Sequence, residues 1–324
     1  MKNRMSRRNF LQQSAAAVTA ASALTSSLSS ATLQEALAGL PRRLLGKTGL
    51  RVSMLGFGGG SQWLKVKDGE WEPILERAVA LGINYFDTAP NYKWGATKSS
   101  EERFGEILPA HRKSVFLATK IDSRDVTEAM KVLEKSMKAM KADYLDVLLL
   151  HSVSEKDKDI AALEKGVYGE IRKLKEAGTA RFIGFSSMND GARTTEFIEA
   201  LNPDVSLLAM NATKYGDVAE KALPVARQKN VGVVGMKAMR DIVGAAATPK
   251  ELLEYVWGHP GVATLLVGHV SVQMLEENVE SAKSFAAGRT DLDREELEKR
   301  VAHLAGPHAL CWARPDYVDW DHEV

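Results

Sequence analysis

Apolar residues in this chain come in short, nearly unbroken runs rather than in strict alternation. Eight stand out: VSMLGF (52–57), INYFDT (83–88), VFLATK (115–120), LDVLLLH (145–151), RFIGFS (181–186), VSLLAMN (205–211), VGVVGMKA (231–238) and ATLLVG (263–268). Such runs suit strands covered on both faces, as in a parallel sheet flanked by helices. Between them lie amphipathic stretches that predict helices over 69–82, 125–140, 162–178 and 217–230. Gly82, Gly178 and Asn230 each stand where a helix must stop before the next strand, as C-cap residues do.

Eight strand–helix units fit a single-domain (β/α)8 TIM barrel over residues 39–324. The competing architecture is an open doubly wound sheet. That fold places a Gly-rich phosphate loop between its first strand and a helix. Here Gly56-Phe57-Gly58-Gly59-Gly60 follows the first run, but it is not G-x-G-x-x-G and no helix opens directly after it. The barrel is therefore preferred. Ahead of it, RRLLGKTGLRVS predicts a hairpin turning at Lys47-Thr48-Gly49 and closing the barrel floor. After it, DREELEKRVAHLAG predicts a last helix, and a Trp- and Pro-containing tail is expected to lie over the barrel surface.

The first 38 residues do not share this pattern. Ser-Arg-Arg-Asn-Phe-Leu-Gln (6–12) precedes an Ala-rich stretch, a Ser-rich segment and Ala36-Leu37-Ala38. A paired-Arg region, a modest apolar region and a small-x-small site read as a twin-arginine export signal. The expectation is a periplasmic or secreted protein that meets the twin-arginine export machinery, cleaved near Ala38. The stretch lacks about 20 strongly apolar residues, so no stable membrane span is expected.

Composition narrows the chemistry. The net charge is +1, and the first 38 residues carry +3, which leaves the rest near −2. That balance suggests no nucleic-acid partner and suits a small-molecule substrate. The single cysteine, Cys311, excludes an internal disulfide and argues against a thiolate metal site.

Four ionisable residues close three consecutive apolar runs: Asp87, Tyr92 five residues after it, Lys120 and His151. Alone, each reads as a capping, packing or solvated residue. In a barrel the C-terminal strand ends share one face, so the four become neighbours. A phenol with a pKa of about 10 needs a nearby cation to exchange protons near neutrality. Lys120 supplies that charge, Asp87 keeps the lysine protonated, and His151 orients a substrate oxygen. The set suits reduction of a carbonyl, with hydride arriving at carbon and a proton arriving at oxygen from Tyr92.

At these residues the chain resembles the aldo-keto reductases. LGKTGLRVSMLGFGGG (45–60), AVALGINYFDTAPNY (78–92), SEERFGEIL (100–108), ATK (118–120), YLDVLLLH (144–151), ARFIGFS (180–186) and EENV (276–279) carry the likeness. The resemblance implies a catalytic tetrad of Asp87, Tyr92, Lys120 and His151. It also implies NAD or NADP held by Gly58, Asp87, Ser186, Ser187, Asn211, Met236, Lys237, Gly268, Ser271, Met274, Glu277 and Asn278. Several of these depart from the family pattern. Ser187 stands where Asn is usual, Asn211 where Gln is common, and Met236 where many members stack an aromatic ring on the nicotinamide. Gly268 and Met274 are uncharged where NADP-preferring members place cations, which leaves His269 as the nearby basic residue. The resemblance points to reduction of an aldehyde, ketone or sugar-like carbonyl. Two alternatives stay open: a nicotinamide-binding regulatory or sensor protein, or an enzyme that retains its cofactor and shuttles hydride between two sugar carbons. Trp63, Trp94 and Trp312 are candidates for an apolar pocket wall.

Overall fold

Eight strands close into a parallel barrel: β3 (Leu55–Gly58), β4 (Tyr85–Asp87), β5 (Phe116–Ile121), β6 (Leu145–Val153), β7 (Ala180–Ser187), β8 (Val205–Ala209), β9 (Gly232–Met236) and β10 (Val262–Val267). Each pairs with the next in sequence, and β10 pairs back with β3 through Leu265–Leu55 and Val267–Phe57. The computed structural model describes residues 39–319 apart from residue 245. The expected export signal at 1–38 therefore lies outside the described residues. Among the described residues, no helix is long and apolar enough to cross a membrane.

The unbroken apolar runs have the physical cause that the pattern predicts. Both faces of each strand are covered, one by the barrel interior and the other by the helical ring. All five residues of β8 and all five of β9 are buried. Backbones also approach closely. A side chain on Gly184 would place its Cβ 1.7 Å from the Val205 carbonyl oxygen, so β7 and β8 can pack there only around glycine.

The helices sit close to their expected places, at Trp71–Ala80, Val126–Met140 and Val218–Gln228. Gly82, Gly178 and Asn230 have φ of 90°, 79° and 52°, the left-handed conformation of a helix stop. Three expectations need correction. The segment 162–178 is two helices, Ile160–Lys165 and Val167–Glu176. They meet at Gly166, whose φ/ψ of −81°/−118° leaves the helical region. The first run is also divided. Its start lies in β2 (Arg51–Ser53), which forms an antiparallel hairpin with β1 (Arg42–Leu44). Asn84 holds the chain beside the break, accepting from Ser53 N at 2.7 Å and donating to the Arg51 carbonyl at 3.0 Å. The hairpin lies under the N-terminal strand ends, where Lys47 N donates to Asn230 O at 2.7 Å. The last helix is Arg294–Val301. Beyond it the tail does not rest on the outer surface: it runs to the C-terminal mouth of the barrel.

Candidate active site

The tetrad is assembled by strand ends and one tight loop. Asp87 is the last residue of β4, where its carbonyl accepts from Gly59 N at 2.8 Å. The chain then turns from Ala89 to Tyr92 and is pinned where Ser100 N donates to the Tyr92 carbonyl at 2.8 Å. A capping box of Ser99 and Glu102 starts the next helix, Ser100–Ile107, and fixes where this loop ends. Lys120 and His151 come from β5 and β6.

All four side chains are buried. Lys120 Nζ donates to Asp87 Oδ1 and to the Thr88 carbonyl, the latter at 2.7 Å. The ammonium lies 5.1 Å from the centre of the Tyr92 ring, and the His151 ring lies 5.9 Å from the same centre. The structure thus brings the four expected residues together.

A fifth group shares their site. Asp319, from the C-terminal tail, places Oδ2 3.0 Å from the Tyr92 hydroxyl and 3.1 Å from His151 Nε2. Its Oδ1 accepts from Lys237 Nζ at 2.6 Å and from the Tyr317 hydroxyl at 2.7 Å. Lys237 Nζ also donates to the Tyr317 oxygen at 2.9 Å, and Arg240 Nη1 does so at 3.3 Å. Asp319 lies 227 residues from Tyr92 and 168 from His151. No motif in the tail announces it.

Burial and charge set the protonation of this cluster. Burial pushes the His151 imidazole down to about 4, outweighing the pull of Asp319. The ring is then neutral, and because it faces an acceptor-only carboxylate its proton sits on Nε2. Burial opposes the charge on Asp319, but Lys237 and His151 together hold its carboxyl well below the usual carboxylate range. Burial likewise works against the Lys237 ammonium, and Asp319 and Tyr317 more than restore it. Burial and then Lys120 act in opposite directions on Asp87, whose carboxyl ends up raised. Tyr92 departs from expectation. Burial first, then the Asp319 carboxylate, push its phenol well above 10.

A cleft of about 670 Å³ runs from the tetrad to the C-terminal side of β10. Gly58, Asp87, Met236, Lys237, Gly268, Met274, Glu277 and Asn278 all line it. Two of these residues carry buried polar atoms with no hydrogen-bond partner among the described residues, Asp87 Oδ2 and Asn278 Nδ2. One is an acceptor and the other a donor, a set that fits a polar cofactor such as a dinucleotide.

Ser186, Ser187, Asn211 and Ser271 do not line the cleft; the first three are buried and Ser271 is exposed, and each side chain is engaged by the protein itself. Ser186 Oγ accepts from Ser152 N at 2.8 Å. Ser187 Oγ lies 2.8 Å from Thr194 Oγ1, toward the helix outside the barrel. Asn211 Oδ1 accepts from the backbone and hydroxyl of Thr213 at 3.0 and 2.6 Å. Ser271 caps the helix Val272–Ala286 by accepting from Met274 N. His269 does not line the cleft either. It is fully buried, packed 5.5 Å from the Phe57 ring, and burial pushes it down to about 3. The cationic residues that line the cleft are Lys237, Arg240 and Lys250. Of the three tryptophans, only Trp94 lines the cleft, 4.8 Å from Tyr92. Trp63 and Trp312 are fully buried.

Comparison with known proteins gives the family. The aldo/keto reductase family matches residues 54–251. The uncharacterized oxidoreductase YqkF of Bacillus subtilis is 26% identical over 308 residues, covering 81% of this chain and 96% of its own length. L-galactose dehydrogenase of Arabidopsis thaliana is 26% identical over 314 residues, covering 83% of this chain and 96% of its own. Among solved structures, an aldo-keto reductase described from Pseudomonas aeruginosa superposes with a TM-score of 0.62 at 27% identity, covering 75% of this chain and 94% of its own. With the family match spanning more than half of the sequence, this chain belongs to the aldo/keto reductases, oxidoreductases that act on carbonyl compounds with a nicotinamide cofactor.

Proposed function

We propose that Tyr92 is the proton donor for carbonyl reduction, with Lys120, Asp87 and His151 in support. One observation carries this reading: an oxygen atom is held between the Tyr92 hydroxyl and His151 Nε2, at 3.0 and 3.1 Å. A carbonyl oxygen in that place receives hydrogen bonds from both groups. The neutral His151 donates from Nε2 and fixes the oxygen's direction. Tyr92 gives up its proton as the oxygen gains charge. Lys120, 5.1 Å from the ring centre and held by Asp87, stabilises the phenolate left behind. A reduced nicotinamide, when bound along the cleft, supplies the hydride. Gly58, Met236, Gly268, Met274, Glu277 and Asn278 line that cleft and would hold it.

The test is turnover by the purified protein with reduced nicotinamide cofactor and a panel of aldehydes, ketones and oxidised sugars. Consumption of cofactor that depends on both carbonyl and Tyr92 supports the reading. Wild-type turnover retained in Tyr92→Phe rules it out.

The paired Arg7-Arg8 and the small-residue site at Ala36–Ala38 support export before the enzyme acts. Fractionation of the producing cell checks this: Arg7→Lys with Arg8→Lys should hold the protein in the cytoplasm uncleaved.

A further inference from the structure

Lys237 has a place in the site that proton donation to a carbonyl does not explain. It follows the last residue of β9 with φ of 60°, a left-handed conformation that a non-glycine residue holds only under tertiary constraint. Its side chain is 11% exposed, and its carboxylate partner is Asp319. Its other hydrogen bond goes to the Tyr317 hydroxyl at 2.9 Å. Arg240 adds a second cation 3.3 Å from that hydroxyl. A substrate oxygen cannot sit between Tyr92 and His151 while Asp319 Oδ2 is there. Asp319 must therefore leave for turnover, and its departure strips the counter-charge from a buried lysine. Removing one partner of a buried ion pair is strongly unfavourable. A substrate that brings its own carboxylate restores the pair.

The geometry of Asp319 narrows the class of substrate. One oxygen of a single carboxyl group lies on Tyr92 and His151, and the other lies on Lys237 and Tyr317. A substrate that reproduces this needs its carbonyl oxygen and one carboxylate oxygen almost as close together. A 2-oxo acid has them on adjacent carbons. We propose that Lys237 and Tyr317 form a carboxylate subsite beside the carbonyl-oxygen position, that the preferred substrates are 2-oxo acids, and that Asp319 occupies the site as an internal mimic until substrate displaces it. The start of the tail stays in place: Cys311 N donates to Asp241 Oδ2 at 2.9 Å and Trp312 O accepts from Asn189 Nδ2 at 3.3 Å. The reaction balances as carbonyl reduction does. The keto carbon gains a hydride from the reduced nicotinamide, its oxygen gains the Tyr92 proton, and a 2-hydroxy acid and oxidised nicotinamide are released.

This inference rests on the carbonyl-reducing reading of Tyr92, and two measurements separate them. The first is kcat/KM of the cofactor-loaded enzyme for pyruvate and phenylpyruvate against their neutral amides. The acids should be preferred by at least about tenfold, and Lys237→Met should cut that preference by about tenfold, as loss of a charge-assisted contact does. Lys237→Arg should keep much of it, which controls for misfolding. The second is calorimetric binding of oxamate, which cannot be reduced. Oxamate should bind the wild type, bind Asp319→Ala more tightly, and lose at least about tenfold in Lys237→Met. Lys237-dependent oxamate binding with no turnover of any carbonyl sinks the catalytic reading and leaves the subsite standing. Turnover of carbonyls with no preference for acids, or with oxamate binding indifferent to Lys237, overturns the subsite.

Discussion

Glu101 gives a quantitative handle on the shell beneath the tetrad. It lies in the first turn of the helix Ser100–Ile107, is 3% exposed, and accepts from Thr119 Oγ1 at 2.7 Å. Burial pushes its carboxyl up from 4.5 to about 7, against the pull of Thr119, Ser136 and Lys120. A carboxyl whose folded pKa is raised favours folding while protonated. That contribution is complete below about pH 4.5 and is lost as pH rises through about 7. At about 1.4 kcal/mol per pH unit, the span is worth about 3 kcal/mol, most of it between about pH 5 and pH 8. Glu101→Gln cannot ionise and keeps an acceptor for Thr119. Urea unfolding of both proteins across that range, at constant ionic strength, measures the difference. His151 and His259, pushed down to about 4, and His269, pushed down to about 3, act in the opposite sense and gain stability as pH rises toward 6.5. They are common to both proteins and cancel in the comparison. The variant should gain on the wild type by about 3 kcal/mol as pH rises. Parallel pH curves for the two proteins would show that Glu101 does not carry this buried charge.

Other expected outcomes follow from single contacts. Tyr92→Phe should lower kcat by at least about a hundredfold while calorimetry finds cofactor affinity little changed; a smaller loss removes Tyr92 as the acid. Asp87→Asn leaves the Lys120 ammonium, 1% exposed, without its counter-ion and should cost about 3–5 kcal/mol. Adding Lys120→Met should recover part of that loss, so additive losses in chemical denaturation would contradict the pairing. Gly184→Ala puts a Cβ 1.7 Å from the Val205 carbonyl oxygen and should destabilise by about 2–3 kcal/mol or more; an unchanged denaturation midpoint would mean that β7 and β8 have room to part.

The strands were legible because burial on both faces demands continuous apolar runs, and nothing in the helices or loops imitates that. The tetrad was legible for a related reason. Asp87, Lys120 and His151 stand at the ends of such runs, and a parallel barrel turns all of those ends to one face. The cofactor shell was less so. Ser186 and Ser187 end β7 where its pairing with β6 shifts register between Leu150 and Val153, beside Ser152 with φ of 49°. Such an irregularity decides which way each side chain points, and local sequence does not reveal it. His269 looked like a basic loop residue but packs beneath Phe57, because its surroundings come from β3 and not from its own neighbours.

The sequence by itself therefore determined the barrel, the order of its strands and the meeting of four ionisable residues, since each follows from local pattern plus the closure of a parallel sheet. Only the tertiary structure decided what fills the space between Tyr92 and His151. Asp319 reaches them across 227 and 168 residues, from a tail with no periodicity to place it. Its position is fixed by the charges of Lys237 and the hydroxyl of Tyr317, and that is a matter of where the folded chain puts them.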